Sequence, residues 1–212
     1  MTHSLMGYPI VLNLSGKTAV VVGAGAVATR RIRGLLGQGA LVRVVAPDVA
    51  RDVVDLAASE QIDIRVKKFS PEDLDGAFIV HAATSDSAVN HIVADEAADR
   101  GLLVCCADEM DYGNFHTPSA FSRGALTISV TTGGESPSLA AVLRERLEGQ
   151  FGPEYDLWSM LFGRLRPAIQ KMETAEVRKQ FVCRVLDEPD VAAGILERDI
   201  DAAETAARHC IS

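Results

Sequence analysis

The chain lacks most of the features that identify an enzyme at a glance. No run of about 18 apolar residues occurs in its 212 residues, so no membrane-spanning helix is expected. The opening stretch MTHSLMGYPIVLNL has neither a basic n-region nor a small-residue cleavage site, and a secretory signal is not expected. There are only four cysteines, with Cys105 and Cys106 adjacent and no C-x-x-C. That spacing fits neither a disulfide framework nor a zinc site. It points to buried thiols and a reducing cytoplasm. Basic excess is absent too: the formal net charge is −8, against nucleic acid as a partner.

The common catalytic signatures are equally scarce. No G-K-[ST] follows a glycine loop, and there is no G-x-S-x-G and no H-E-x-x-H. None of Tyr8, Tyr112 and Tyr155 has a lysine four residues on, so the short-chain dehydrogenase pair is missing. The five histidines form no helical pair, and no fixed protein-ligated metal site is expected.

What is present is a rhythm. Between residues 16 and 112 short β-type runs alternate with helical patterns: KTAVVV, then AVATRRIRGLLGQG with Val27, Ile32, Leu35 and Leu36 near one face; LVRVVA, then DVARDVVDLAASE; IDIRVKKF, then SPEDL; AFIVHAAT, then DSAVNHIVADEAADRG; and LLVCCA. Repeated units of this length predict an α/β, Rossmann-type, doubly wound parallel sheet with helices on both faces. DYGNFHTPSAFSRG then reads as a turn-rich connection and ALTISVTT as a strand. GGESPSLAAVLRERLEG follows, with Ser136 as N-cap and Pro137 at the first helical position. From Pro153 the pattern is helical. Trp158, Leu161, Phe162, Leu165, Ile169 and Met172 form a stripe, Pro167 is a candidate kink, and DVAAGILERDIDAAETAARH reads as one helix. The expected plan is a Rossmann domain over 1–112, a small central α+β segment over 113–150 and a helical domain over 151–212.

Gly23-Ala24-Gly25-Ala26-Val27-Ala28 matches G-x-G-x-x-G/A directly after a strand and at the start of a helix. Gly23 permits the tight turn, Gly25 lets a diphosphate approach the backbone, and Ala28 lets the helix pack on the sheet. Ala46 and Pro47 end the second strand where an acidic residue is expected, and Asp48 comes slightly late. NAD is expected over NADP because no arginine sits directly in that loop. Ala83 and Thr84 end a later strand, with room for the cofactor and a hydroxyl to bond it; Ser85 or Asp86 would cap the next helix. Asp108-Glu109 stand just past LLVCCA, on the same crevice. An acid beside an apolar strand and a ligand can have a raised pKa and move protons; a solvated turn carboxylate is the other reading. Asp111 is a weaker candidate of the same kind. His116, in the connection, is a candidate substrate contact. Local clusters of Arg30, Arg31 and Arg33, of Lys67 and Lys68, and of Arg123, Arg144 and Arg146 suit a polyanionic small molecule.

Over most of its length the chain resembles the precorrin-2 dehydrogenase family, the module found alone or at the N-terminus of sirohaem synthases. The stretches that carry the resemblance are YPIVLNLSGKTAVVVGAGAVA, EDLDGAFIVHAATSD, NHIVADEAADRGLLVCCADE and, most specifically, RGALTISVTTGGESPSLAAVLRERLE. The resemblance implies NAD-dependent oxidation of the tetrapyrrole precorrin-2 to sirohydrochlorin, in some members with ferrous iron inserted to give sirohaem, and a homodimer with interlocked central segments. It implies that Asp108 is the essential acid. Ser136 matches a serine that is phosphorylated in some relatives, where added charge would repel an anionic substrate. Arg123, Arg144 and Arg146, with the amides at the Ser136 turn, become candidate anchors for the macrocycle's carboxylates. Two departures stand on the presumed substrate side: Cys105 where asparagine is common, and Phe115-His116-Thr117-Pro118-Ser119 in place of F-x-F-P-A. A dehydrogenase without chelatase activity, and a non-enzymatic NAD-sensing module, are the alternatives.

Overall fold

The computed structural model describes residues 7–60, 62–109 and 112–210. Contacts divide the chain into two compact units, 1–117 and 118–212. The central segment expected at 113–150 falls on both sides of that division.

The first unit is built on β1 (Thr18–Val22), β2 (Leu41–Ala46), β3 (Ile62–Val66), β4 (Ile79–Ala82) and β5 (Leu103–Cys106). They form one parallel sheet in the order β3-β2-β1-β4-β5. The order reverses between β1 and β4, which opens a crevice at the carboxyl ends of those strands. Helices α1 (Ala26–Leu36) and α2 (Arg51–Ser59) cover one face, and α3 (Ser87–Asp99) covers the other. Strand residues alternate between the two cores. Val21, Val44 and Ile79 pack under α1 and α2, while Val20, Val80, Val104 and Cys106 pack under α3.

The buried stripe of α1 is Ala28, Thr29, Ile32 and Leu35. Val27, expected on that face, is 45% exposed because it lies in the first turn and points off the sheet. The link from β3 to β4 carries only a 3₁₀ turn, Pro71–Leu74. Asp73 there is fully buried. It accepts from Arg65 at 3.0 Å, Lys67 at 2.9 Å and the Ser70 amide at 3.0 Å.

In the second unit β6 (Ser119–Arg123) and β7 (Leu126–Val130) form an antiparallel hairpin. Sequence patterning missed β6, since of S-A-F-S-R only Phe121 is buried. The hairpin turns at Gly124, whose φ of +56° suits a residue without Cβ. Helix α4 (Pro137–Gln150) follows, then α5 (Tyr155–Gln170), α6 (Ala175–Asp187), α7 (Pro189–Leu196) and α8 (Ile200–His209). The core of the last four is Leu161, Leu165, Phe181, Val185, Val191 and Ile195 with Ala203 and Ala207; Trp158, Phe162, Ile169 and Met172 flank it, as the stripe predicts. Helix α5 runs on past Pro167 to Gln170. The last segment is two helices, not one. Arg198 takes φ +62° and Asp199 caps α8 by accepting from the amides of Asp201 and Ala202. Of the thiols expected to be buried, Cys105 and Cys106 are. Cys210 is half-buried and Cys183 lies exposed on α6.

Candidate active site

The glycine turn is set by two different constraints. Gly23 has φ +113°, and a Cβ there would stand 2.3 Å from the Ala83 carbonyl oxygen, so β1 and β4 close on it directly. Its amide donates to the Val45 carbonyl at 2.9 Å. Gly25, by contrast, has open space where a Cβ would be. It is the N-cap of α1, with no side chain capping that end and no acid in the first turn. The leading amides of α1, at Ala26 and Val27, therefore point outward with the positive end of the helix dipole behind them. A diphosphate fits this arrangement on every count: clearance, donors and field. Buried Ala46 and exposed Pro47 end β2 beside it, and Ala83 is packed against Gly23.

Thr84 is committed locally. Its hydroxyl lies 2.9 Å from the Asp86 carbonyl and 2.8 Å from Asn90 Oδ1, and can donate to only one of them at a time. Its amide donates to Asn90 Oδ1 at 3.0 Å, and Asn90 Nδ2 returns a bond to its carbonyl at 3.2 Å. Asp86, one of the two expected caps, accepts from the amides of Ala88 and Val89 and starts α3. Asn90 was not singled out from sequence. Fully buried one turn into α3, it clamps the β4–α3 turn at the edge of the crevice.

Asp108 lies two residues past β5, exposed, on the α3 side of the sheet. Ser87 at the start of α3 donates its hydroxyl to it at 2.6 Å, and the Cys106 thiol does so at 3.1 Å. The carboxyl is exposed, as the solvated-turn reading has it, and its pKa is lowered, not raised. The bond from Ser87 leads in holding the carboxyl well below the usual aspartate range, helped by Cys106 and Asn90 and outweighing desolvation. The Cys106 thiol is pushed up to about 11, first by burial and then by Asp108 beside it. Ser87 carried one sequence signal, its place directly after the cap of α3. Beyond Asp108, Glu109 stands 3.4 Å from His91 Nε2, and His91 stacks on Tyr112 at 3.6 Å between centroids. Asp111 lies outside the described residues. His116 is half-buried, near Gly7.

The remaining expected residues belong to the second unit. Ser136 Oγ caps α4, accepting from the Leu139 amide at 3.3 Å, while its own amide donates to Thr132 Oγ1 at 3.0 Å. Arg123 and Arg144 share one carboxylate, Glu148, and Arg144 also meets Glu145 at 3.1 Å. Both candidate anchors thus have acidic partners of their own. Arg146 is exposed.

A family model described as putative NAD(P)-binding matches residues 10–119, and one described as sirohaem biosynthesis protein central matches residues 123–150. A precorrin-2 dehydrogenase of Priestia megaterium is 34% identical over 182 residues, covering 85% of this chain and 90% of that protein. A siroheme synthase of Chromobacterium violaceum is 34% identical over 197 residues; the match covers 92% of this chain but 42% of that longer protein. The solved structure of SirC, a precorrin-2 dehydrogenase, superposes with a TM-score of 0.72 at 29% identity, over 97% of this chain and 98% of that one. The chain belongs to the precorrin-2 dehydrogenase family.

Proposed function

We infer that this protein oxidises precorrin-2 to sirohydrochlorin with NAD, and that Asp108 is the proton acceptor. The observation that carries the catalytic assignment is a carboxylate fixed by Ser87 at the carboxyl end of β5, in the sheet whose glycine turn is open at Gly25 and uncapped at the start of α1. The oxidation removes a hydride and a proton from the macrocycle, and bound NAD supplies the hydride acceptor. The amides of Ala26 and Val27 would hold its diphosphate, with Gly25 leaving room for it. Ala82 and Ala83, small and buried at the end of β4, pack against the glycine turn. Ser87 and Cys106 aim Asp108 and keep it deprotonated, ready to take the proton.

Asp108→Ala is expected to lower the rate of NADH formation from precorrin-2 by roughly 10²–10⁴-fold while NAD still binds. A fully active variant would remove the assignment. The sign of the pH dependence follows from the depressed pKa: the base stays ionised as pH falls and is lost only on passing through that low value. The acid limb of kcat/KM should accordingly lie below the range of an ordinary aspartate, near 4. The sensing-module alternative gives no reason for an aimed carboxylate, and NADH formation decides against it.

The relatives named siroheme synthase favour a second step, insertion of ferrous iron as substrate into sirohydrochlorin, with Asp108 taking pyrrole protons. Anaerobic incubation with ferrous iron and sirohydrochlorin tests it by the sirohaem absorbance. A homodimer is also part of the proposal. Leu139 and Val142 leave apolar surface on α4, and sedimentation equilibrium reads the mass. The four free cysteines suit the reducing cytoplasm. Among the described residues no helix is long and apolar enough to cross a membrane.

A further inference from the structure

The face of β4 and β5 opposite Asp108 holds a cation that nothing in the mechanism uses. Arg31, on the second turn of α1, is half-buried. Its guanidinium donates to Thr117 Oγ1, and its Nε is sealed from solvent with no hydrogen-bond partner. Among the described residues no carboxylate accompanies it. The other half-buried arginines, Arg43, Arg65, Arg123 and Arg144, all have acidic partners, and the remaining ones are exposed. Arg31 alone is both withdrawn from water and unpaired.

Its neighbours do not supply the missing charge. Cys105 faces it from β5, but burial pushes that thiol up, so it is protonated and neutral at neutral pH. His81, register partner of Cys105 on β4 and edge-on to the Phe115 ring, is pushed down to about 4 by burial and by Arg31 itself, so it too is neutral. Burial lowers the pKa of Arg31, the signature of a cation held without compensation. Such a group is costly in the free protein and is satisfied by an arriving anion.

We propose that Arg31 binds a carboxylate of the macrocycle at the carboxyl end of β4 and β5. The assignment rests on the dehydrogenase reading for the identity of that anion. A diphosphate is the other anion at hand, but its donors lie at the start of α1, whereas Arg31 sits a turn further on, over the last residues but one of β4 and β5. Successive residues of β5 place Arg31 beside Cys105 on one face and Asp108 beside Cys106 on the other. The strand end is thus flanked by a base and a cation. A flat ring with carboxylates around its rim can present a carbon to one and an anion to the other.

Arg31→Met keeps the length of the side chain and removes the charge. Its affinity for sirohydrochlorin, read by fluorescence titration, is expected to fall roughly 10–100-fold, the loss of one charge-assisted bond. NAD affinity should stay within about twofold, and the ligand-free melting temperature should be equal to or above that of the wild type. Unchanged sirohydrochlorin affinity, a drop in NAD affinity instead, or a less stable ligand-free variant would each overturn the assignment; the last would make Arg31 a structural bolt to Thr117. Turnover of precorrin-2 by the wild type is read separately. Its absence would retire the dehydrogenase reading, while equal sirohydrochlorin binding by wild type and variant retires the Arg31 assignment alone.

Discussion

Two glycines two residues apart do different work, and substitution separates them. At Gly23 a Cβ would strike the Ala83 carbonyl, and the positive φ adds strain for any other residue. Gly23→Ala is expected to lower the melting temperature outright. At Gly25 a Cβ enters open space, so Gly25→Ala should melt close to the wild type and yet lose NAD binding by roughly tenfold or more, since the methyl stands where the diphosphate comes in. Calorimetry with an NAD titration reads both. Equal NAD affinity in wild type and Gly25→Ala would show that the diphosphate does not approach there. At this scale the glycine motif and Asp108 were visible in the sequence because turn geometry and strand ends have local signatures. The low pKa of Asp108 was not visible. It is set by Ser87, 21 residues away in sequence, and by the Cys106 thiol, a contact that exists only once α3 has packed beside β5.

At the scale of elements, the β3–β4 link holds an ionic knot in place of a crossover helix. Burial alone would push the Asp73 carboxyl up, but the bonds from Lys67, the Ser70 amide and Arg65 outweigh it and leave its pKa lowered. A carboxyl lowered by folding adds stability above its unfolded pKa, and that stability fades as pH falls through the folded value. Asp73→Asn is therefore expected to cost about 1–3 kcal/mol at pH 7, with the difference from wild type shrinking as pH drops below about 4. Urea melts at neutral and acid pH check it; a gap that persists at low pH would mean shape, not charge, is what Asp73 supplies. The strands of the first unit were legible because a sheet buried on both faces writes itself as short apolar runs. Strand β6 was not, because a hairpin covered on one side leaves only Phe121 as its mark. The break between α7 and α8 was also hidden. Asp199 caps a helix in the middle of what reads as an unbroken pattern, and only the left-handed turn at Arg198 shows it.

At the scale of the whole molecule, two compact units on one chain predict unfolding that is not a single step. The glycine turn belongs wholly to the first unit. Saturating NAD, at about 100 times its dissociation constant, should stabilise that unit by about 2.7 kcal/mol and leave the helical unit's transition in place. Calorimetry showing one transition that moves as a whole would mean that the units melt together.

The alternation of β5 has a chemical corollary. Cys105 points to the α1 face and Cys106 to the α3 face, so neighbours in sequence are strangers in space. Trivalent arsenicals grip a dithiol only when both sulfurs turn the same way. In the folded protein this pair offers them no bite, and oxidants meet two separate thiols, not a couple poised to join. Capture on an arsenical resin would accordingly report that the sheet has come apart.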